Sequence, residues 1–524
     1  MLPSPKFQGL RAIVACMKRP FLMAGTMAGL ALLLSACGGN PADRAAAAQK
    51  AFAAEDYAGA RSNALAALEA DGTNKDLLRL LARAQLQLGD GDGAQAVLVR
   101  LQQAGGGGAE VTRMLAEAAL LRGQDRQVFT LLGNDASPHA WRLRAAAHIA
   151  GAEPAEALDA FRKGMAAGED FALARDYARF LMEAQDHAGA AQAIAVMRKL
   201  GPDRLDTAML DGDLALRQGR QDDAAALWNA AAARFPARVE PLLALATLAD
   251  MRGKVDEAAA LVGRAQAIAE KDPRVAAMAV QIAAEKGEWD KVRSALAPRE
   301  STLDPRSFEG LAYAEALLRL DHPEQARALF AKALSLSPQN PYARLMLAEA
   351  QLATGDGQSA FRTVRPLADS VLAGERELDL AVRAATAARD PALPALQARL
   401  HSPQLPELQR QAGAAQAALA RHDWTGALAA YGAMPGHDND AEVLKRMAFA
   451  STSAGRHAEA IALADRALLI APRNPDMLHI AGLARLNAGQ DRATAARLMQ
   501  QAVELDPANR LLRADLARAL APPG

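Results

Sequence analysis

The amino-acid sequence predicts an all-α protein, a solenoid of helical hairpins. Three observations predict this fold: a small residue recurs along the chain at a nearly constant step, a glycine often stands five positions before it, and a proline often ends the segment. The 524-residue chain is 51% hydrophobic but only 4% aromatic, so its apolar surface comes from small and aliphatic side chains that let helices pack closely. A constant step held over many units is typical of solenoids.

The composition excludes several classes of protein. Sixty Lys and Arg residues balance sixty Asp and Glu residues, whereas a general nucleic-acid binder needs an excess of basic residues to displace counterions from phosphates. The apolar fraction is too high for a disordered chain. The two cysteines, Cys16 and Cys37, are too few for a disulfide framework or a cysteine-based zinc site.

The first 36 residues have the pattern of a signal peptide. A short basic stretch at 17–19 precedes an apolar segment at 21–34, too short for a typical membrane span but of the length of a signal-peptide core. The segment ends in Leu34-Ser35-Ala36-Cys37, which resembles a bacterial lipobox. The resemblance implies cleavage before Cys37 and acylation of that cysteine. Residues 37–42 would then form the lipidated N-terminus and a short linker.

Two further expectations concern this segment. Met17 alone opens an ordinary signal peptide, so the true start is either Met1 or Met17, and Cys16 has no role in the second case. Gly38 follows the lipidated cysteine, where Asp commonly directs Gram-negative lipoproteins to the inner membrane; by analogy we expect an outer-membrane lipoprotein on the periplasmic face. Several acyl chains on one residue would anchor the chain stably, because a single chain binds membranes only marginally.

The recurring small residue sets the repeat. From Ala60 to Ala495 the mean step is about 34 residues. The step from Val128 to Ala157 is shorter than the rest, and the step from Ala360 to Ala427 is twice the usual length. The thirteen marker positions are Ala60, Ala94, Val128, Ala157, Ala190, Ala224, Ala258, Val292, Ala326, Ala360, Ala427, Ala460 and Ala495.

The pattern resembles the tetratricopeptide repeat (TPR). The clearest units are 204–236, 307–340 and 441–474, in which a small residue begins the second helix, a larger residue follows one turn later, and a proline closes the unit. A step of about 34 residues is the length of that repeat. The resemblance implies about fourteen hairpins wound into a right-handed superhelix, with the first helix of each hairpin on the inner wall.

The register divides the chain into segments. Residues 43–365 hold the first ten repeats, and residues 408–508 hold the last ones. Residues 366–407 form a degenerate repeat that is rich in proline, which shortens or kinks helices. Residues 509–524 are predicted to form a helix that covers the last repeat, followed by a short tail. A stretch of four glycines at 105–108 is interpreted as a loop between two repeats.

No motif in the sequence indicates catalysis, a metal ion or a cofactor. The nine histidines lack metal-ligand spacing, and no nucleotide-binding glycine loop or hydrolase motif is present. Two acidic stretches, 90–93 and 437–440, are interpreted as turns between helices. The four tryptophans fall on framework positions of the repeat, so packing explains them. The prediction is a protein that is not an enzyme.

The remaining candidate for function is the inner wall of the solenoid. Counting back 15 and 11 positions from each marker gives two inward-facing residues per repeat. In the middle repeats these positions are apolar to mildly acidic, for example Met209/Asp213, Leu311/Glu315 and Leu345/Glu349, and Lys445/Phe449 follow near the C-terminus. In the first third they include six arginines: Arg79, Arg83, Arg113, Arg142, Arg175 and Arg179.

Guanidinium groups suit carboxylates and phosphates. One hypothesis is therefore that these arginines bind an acidic peptide or an acidic polysaccharide. The alternative is that they are solvated side chains of a charge-rich array. Substituting Arg79, Arg113, Arg142 and Arg175 together separates the two.

The lipobox and the opening unit at 43–70 together resemble the TPR lipoproteins that accompany exosortase (PEP-CTERM) and exopolysaccharide loci. This resemblance implies a scaffold in the envelope that binds proteins of the export or secretion machinery. Three alternatives remain: a lipoprotein like the pilotins of type IV pili or secretins, a guide that binds acidic polysaccharide without protein partners, and an enzyme with an added catalytic domain. Only residues 365–407 depart appreciably from the register, too few for a catalytic domain.

Overall fold

A computed structural model describes residues 40–521 as helices joined by short loops, with no strand in that range. Cys16, Cys37 and the rest of the predicted signal peptide lie outside the described residues. The helices are α1 Pro41–Ala53, α2 Tyr57–Leu68, α3 Lys75–Gln87, α4 Gly91–Gln103, α5 Ala109–Leu121, α6 Asp125–Leu132, α7 Pro138–Ala150, α8 Pro154–Ala167, α9 Phe171–Glu183, α10 His187–Leu200, α11 Leu205–Arg217, α12 Gln221–Arg234, α13 Glu240–Met251, α14 Val255–Ile268, α15 Pro273–Glu285, α16 Trp289–Leu296, α17 Phe308–Arg319, α18 Pro323–Leu336, α19 Pro341–Ala353, α20 Gly357–Ala368, α21 Glu375–Ala388, α22 Leu393–Leu400, α23 Leu405–Ala420, α24 Trp424–Gly432, α25 Ala441–Ser453, α26 His457–Ile470, α27 Pro475–Asn487, α28 Arg492–Leu505 and α29 Arg510–Leu520.

In chain order, the helices of residues 40–521 make fourteen consecutive pairs and one terminal helix. Local sequence sets their ends. Asp90 and Asp186, for instance, precede second helices and accept hydrogen bonds from backbone N–H groups of the first turn, which satisfies donors that the helix leaves free. Pro154 and Pro323 open second helices at a position that needs no N–H donor. The predicted all-α array of hairpins is confirmed.

The marker residues of the sequence register occupy one structural position. Each is the fourth residue of a second helix, and all thirteen are 0% exposed. The residue one turn later is also buried, as with Leu98, Trp228 and Phe330. A small side chain lets the second helix approach the first, and the larger one fills the space beside it, as the close packing of protein interiors requires.

The turn inside most hairpins needs a left-handed residue five positions before the marker. Glycine supplies it at several turns, for example Gly219 with φ 77°, where the lack of a Cβ removes the steric cost. Other hairpins place a residue with a side chain there, as at Ala152 with φ 60° and Gln185 with φ 63°. The recurring glycine of the sequence is therefore explained by backbone conformation.

The proline-rich segment still forms a helix pair. α21 has 14 residues, whereas α22 has only 8, and prolines flank or open its short helix. Leu396 is the fourth residue of α22 and is 6% exposed. It fills the marker position with a larger side chain, which is why the step from Ala360 to Ala427 spans two repeats.

The chain divides into two compact units, unit 1 up to Arg252 and unit 2 from Gly253. Within unit 1 the first helices α1, α3, α5, α7, α9 and α11 contact one another in series. The second helices of the same hairpins are farther apart. The first helices therefore lie on the tighter side of the unit, as the superhelical packing of hairpins requires. In unit 1, Arg238 Nη1 also reaches Glu55 Oε2 at 3.2 Å, so the loop before α13 meets the turn of the first hairpin.

Within unit 2, loops that follow second helices meet one another in nested pairs. The loop at 369–374 contacts the loop at 433–440 through Ser370 and Asp440. Further out, Asn474 Nδ2 donates to Gln339 Oε1 at 3.2 Å. Outermost, the charges of 304–306 interact with those of 506–510. Along the chain, the loop at 401–404 lies about midway between the two members of each pair. Unit 2 therefore folds back on itself along one edge, and the proline-rich helix pair α21–α22 lies next to the bend.

Between residues 40 and 521, no helix combines the length and the apolar character needed to cross a membrane.

Candidate interaction surface

The six arginines selected from the sequence all lie on first helices of unit 1, namely α3, α5, α7 and α9. They form a row along the tighter side of the unit. We refer to them, with the acidic residues that they contact, as the first-helix face. None of them is an isolated cation, because each guanidinium group lies within 4 Å of a carboxylate.

The row begins on α3. Arg79 Nε lies 3.3 Å from Glu110 Oε2 on the next first helix, and Arg83 pairs with the other oxygen of the same carboxylate. On α5, Arg113 Nη1 donates to Asp135 Oδ2 at 3.0 Å. An acidic residue near the start of a first helix therefore pairs with one or two arginines of the first helix before it.

Asp176 is a largely enclosed carboxylate of the face. Its side chain is 16% exposed and receives Arg142 Nη1 at 3.3 Å and Arg175 Nε at 2.9 Å. Burial alone would raise the pKa of Asp176, but Arg175 and Arg142 outweigh it and hold the pKa below its usual value. The carboxylate is therefore kept ionised as a bridge between two first helices.

The series continues to α11. Asp206 accepts from Arg179 at 3.4 Å and lies 3.6 Å from Arg175. Arg217 on α11 reaches back to Glu183 on α9 at 2.9 Å. The six arginines and their acidic partners thus form a charge-balanced ladder that ties successive first helices together. Sequence reasoning missed the pairs that link one first helix to the next because these acids stand 22 to 34 residues from their arginines.

Unit 2 carries a similar arrangement on its own first helices. Arg319 on α17 reaches Glu349 on α19 at 2.6 Å and also contacts Glu315. The hydroxyl of Tyr342 donates to Glu315 as well, and burial together with that hydrogen bond raises the pKa of Tyr342. Lys445, expected to line the inner wall, is instead 4% exposed and pairs with Asp476 at 3.0 Å.

Asp213 departs from this pattern. It lies on α11 at the inward position that Glu315 and Glu349 occupy in unit 2. Those two carboxylates are paired, whereas Asp213 has no hydrogen bond or ion pair within the described residues. Burial raises the pKa of Asp213 to about 6, although the positive charges of Arg217 and Arg179 act to lower it. Both arginines are engaged elsewhere, by Glu183 and by Asp206.

Sequence reasoning also missed a cleft in unit 1. α6 has only 8 residues, and this short helix leaves a cavity of about 650 Å³ beside Trp141. The guanidinium carbon of Arg144 lies 4.5 Å from the Trp141 ring centroid, while its nitrogens donate to the carbonyl groups of Gly133 and Asp135 at 2.8 and 2.7 Å. Burial lowers the pKa of Arg144. The signal in the sequence was the short step between Val128 and Ala157.

The remaining tryptophans and acidic stretches have structural roles. Trp228 is 2% exposed and donates from Nε1 to the carbonyl oxygen of Met209 at 3.3 Å. Asp90 caps α4, and Asp440 caps α25. Residues 40–521 contain no group of three or more His, Cys, Asp or Glu side chains arranged to hold a metal ion.

Comparison with known proteins identifies the repeat. A family model described as "Tetratricopeptide repeat" matches residues 51–127 and 311–370, one segment in each unit. These two segments therefore carry tetratricopeptide repeats, and they lie within the array of helical hairpins described above. A comparison with curated proteins gives no match.

Solved structures give remote similarities. The crystal structure of the APC/C hetero-tetramer Cut9-Hcn1 is similar over 92% of this chain and 97% of that chain, at 15% identity and a TM-score of 0.38. The structure of Naa15/Naa10 bound to HypK-THB covers 91% of this chain and 65% of that chain, at 16% identity and a TM-score of 0.26. The structure of Pseudomonas aeruginosa pilF is similar over 47% of this chain and 99% of that chain, at 16% identity and a TM-score of 0.31.

Proposed function

We propose that this chain is a non-catalytic scaffold that binds other proteins through the first-helix faces of its hairpins. The observation that carries the proposal is the first-helix face of unit 1, where charged side chains of successive hairpins stand in a regular, partly exposed series. Arrays of repeats expose a continuous surface because each hairpin packs only on its neighbours. Such a surface suits an extended segment of another protein better than a small substrate.

The proposal includes a location and a context. Leu34-Ser35-Ala36-Cys37 supports a lipid anchor on Cys37, which would hold the scaffold at the periplasmic face of the outer membrane. In that place the scaffold would serve envelope assembly or export, of the type found with exopolysaccharide and PEP-CTERM systems. Its partners would be proteins of the export or secretion machinery.

Lipid labelling and membrane fractionation of the full chain test the anchor. The wild-type protein should incorporate labelled fatty acid and sediment with outer membranes, and Cys37→Ser should do neither. Cys16→Ser is the matched control and should behave as the wild type. A Cys37→Ser protein that remains with outer membranes would refute the proposed anchor.

The scaffold role has its own test. Proteins crosslinked to the anchored chain in cells should be recovered with the wild type and lost from a variant in which Arg79, Arg113, Arg142 and Arg175 are all alanine. Recovery of the same proteins with both would exclude the first-helix face of unit 1 as the binding surface. Binding of purified acidic polysaccharide to the wild type, with no crosslinked protein, would instead support the guide hypothesis. Because the ladder already balances these arginines, we rank that function below the protein scaffold.

A further inference from the structure

Asp213 occupies a ladder position whose partner is missing. The inward position that it shares with Glu117, Glu315 and Glu349 carries an acid in four hairpins. Glu117 lies 3.9 Å from Arg142, Glu315 lies 3.1 Å from Arg319, and Glu349 lies 2.6 Å from Arg319. In each case a basic group that belongs to the ladder neutralises the carboxylate.

Arg217 stands four residues after Asp213, as Arg319 stands after Glu315, but it pairs with Glu183 at 2.9 Å instead. The second reason that Asp213 has no partner lies one hairpin further on. Tyr342 stands 27 residues after Glu315 and contacts it. Arg376 stands 27 residues after Glu349 and contacts it in the same way. The residue in the same relation to Asp213 is Glu240, an acid, which pairs with Arg238 at 3.2 Å. The inward positions of α13 are Leu243 and Thr247, which carry no charge. The ladder therefore ends at α11 with one carboxylate unused.

The first helices are also packed less closely at this place. α9 and α11 contact each other, as the earlier first helices of unit 1 do, whereas α11 and α13 approach less closely. Asp213 is half-buried, with the half-buried side chain of Met209 one turn away, and the inward positions of α13 hold half-buried Leu243 and exposed Thr247. A carboxylate beside apolar groups is the environment that a long basic side chain fits, since its methylene groups can be covered while its charge is paired.

We propose that Asp213 binds an arginine or lysine side chain of a partner protein, which fills the position that Arg376 fills in unit 2. The proposal rests on the proposed scaffold function and names the chemistry of its partner. The bound cation would complete the ladder across α11 and α13 with a charge-assisted hydrogen bond. The partner segment is thus basic at this point, the opposite of the acidic ligand suggested by the six arginines.

The interaction should depend on pH near 6. Burial raises the pKa of Asp213 to about 6, and the charges that act on it are Arg217 of α11 and Arg179 of α9. The other helices packed against α11 are α10 and α12. Neither contributes a charged group that shifts the pKa of Asp213. Only the carboxylate form pairs with a cation, so binding should strengthen as the pH rises from 5 to 7.

The test uses the full chain and two fluorescent peptides that differ in one group. Both are blocked nonapeptides of alanine and leucine with one central residue, arginine in one and neutral citrulline in the other. Fluorescence anisotropy should show the wild type binding the arginine peptide at least about tenfold more tightly than the citrulline peptide at pH 7, and losing that preference at pH 5. Asp213→Asn should bind both peptides alike at either pH. Asp222→Asn, an exposed carboxylate on α12 that pairs with Arg252, is the matched control and should behave as the wild type.

A second variant supplies the missing partner from within the chain. Glu240→Arg places a guanidinium group 27 residues after Asp213, and it should occupy the carboxylate and abolish the arginine preference without removing Asp213. Equal binding of the two peptides to the wild type, or an unchanged preference in Asp213→Asn, would overturn the inference. Neither result affects the test at Cys37, so failure of this site and failure of the anchored scaffold are distinguishable.

Discussion

The carboxylate of Asp440 joins two loops of unit 2 that lie 70 residues apart in the chain, because its Oδ2 accepts a hydrogen bond from the hydroxyl of Ser370 at 2.7 Å. The same oxygen accepts from the backbone N–H of Val371 at 2.7 Å. The other oxygen caps α25 by accepting from the N–H groups of Glu442 and Val443. One side chain, 8% exposed, thereby starts a helix and fixes a loop from an earlier hairpin against it.

Replacing Asp440 by alanine should destabilise unit 2 by about 2–4 kcal/mol, since it removes a helix cap and leaves buried donors unpaired. Urea unfolding measures the loss, and hydrogen exchange should quicken at residues 370–372 and 442–444 together. Asp438→Ala, whose carboxylate is exposed, is the control and should change stability by less than about 0.5 kcal/mol. Faster exchange at only one of the two segments would contradict the coupling.

Glycine at the left-handed turn positions should stabilise the hairpins that lack it. Gln185→Gly should gain about 0.5–1 kcal/mol, because relief of the left-handed strain at φ 63° exceeds the extra entropy of glycine in the unfolded chain. The reverse change, Gly219→Ala, should cost about 1–2 kcal/mol, although no atom blocks the added Cβ. Thermal unfolding checks both, with Gly263→Ala inside α14 as a control that should stabilise.

Asp176→Asn should destabilise unit 1 by about 2–4 kcal/mol at pH 7, because it leaves Arg142 and Arg175 without their shared buried carboxylate. The folded-state pKa of Asp176 is lowered, so the stability it contributes is present above the unfolded value of about 4 and is lost as the pH falls through the folded value. The difference between wild type and variant in urea unfolding should therefore vanish in strong acid. A difference that persists there would assign the effect to packing.

Asp213→Asn should have the opposite effect on stability. The folded pKa of Asp213 is raised to about 6, so the folded state holds its proton more tightly than the unfolded state and loses stability as the pH rises from about 4 to 6. Asparagine removes that loss, and the variant should be more stable than the wild type by about 1–3 kcal/mol at pH 7 and by little at pH 4. Urea unfolding at the two pH values measures this, and equal stability at pH 7 would show that the carboxylate is not desolvated.

Leu396→Ala should cost about 2–3 kcal/mol, although alanine is the usual residue at this position in the other hairpins. The reason is that Leu396 is only 6% exposed, so shortening its side chain leaves a cavity beside the short helix α22. Leu469→Ala is the control, since Leu469 is 81% exposed. A neutral Leu396→Ala would mean that this pair packs like the others.

The repeat itself was predictable from the sequence because its signal is local. A buried marker must be small wherever two helices cross closely, and the left-handed turn favours glycine five positions earlier, so both leave a mark in every hairpin. Even the interruption at the proline-rich pair was visible as a doubled step. The length and position of the helices follow from these constraints together with caps such as Asp90 and Asp186.

The candidate site was predictable only in part. The placement of Arg79, Arg142 and Arg175 on first helices follows from the register, but the pairs that link one first helix to the next depend on acids about one hairpin away, which no local pattern places. The unpaired state of Asp213 follows from the absence of a base across a helix–helix gap, which no local pattern records. The cleft beside Trp141 likewise depends on the packing of a shortened helix.

The nested loop contacts of unit 2 have a consequence for how that unit can change in evolution or by design. An ordinary repeat array tolerates the loss or duplication of one hairpin, because each hairpin interacts only with its neighbours. In unit 2, removing the hairpin α19–α20 would move Gln339 one hairpin closer to the bend, so that it would no longer face Asn474. The outer loop pair, 304–306 with 506–510, would be misaligned as well. Hairpin number is therefore fixed on both sides of the bend, and only a matched change on each side would preserve the alignment.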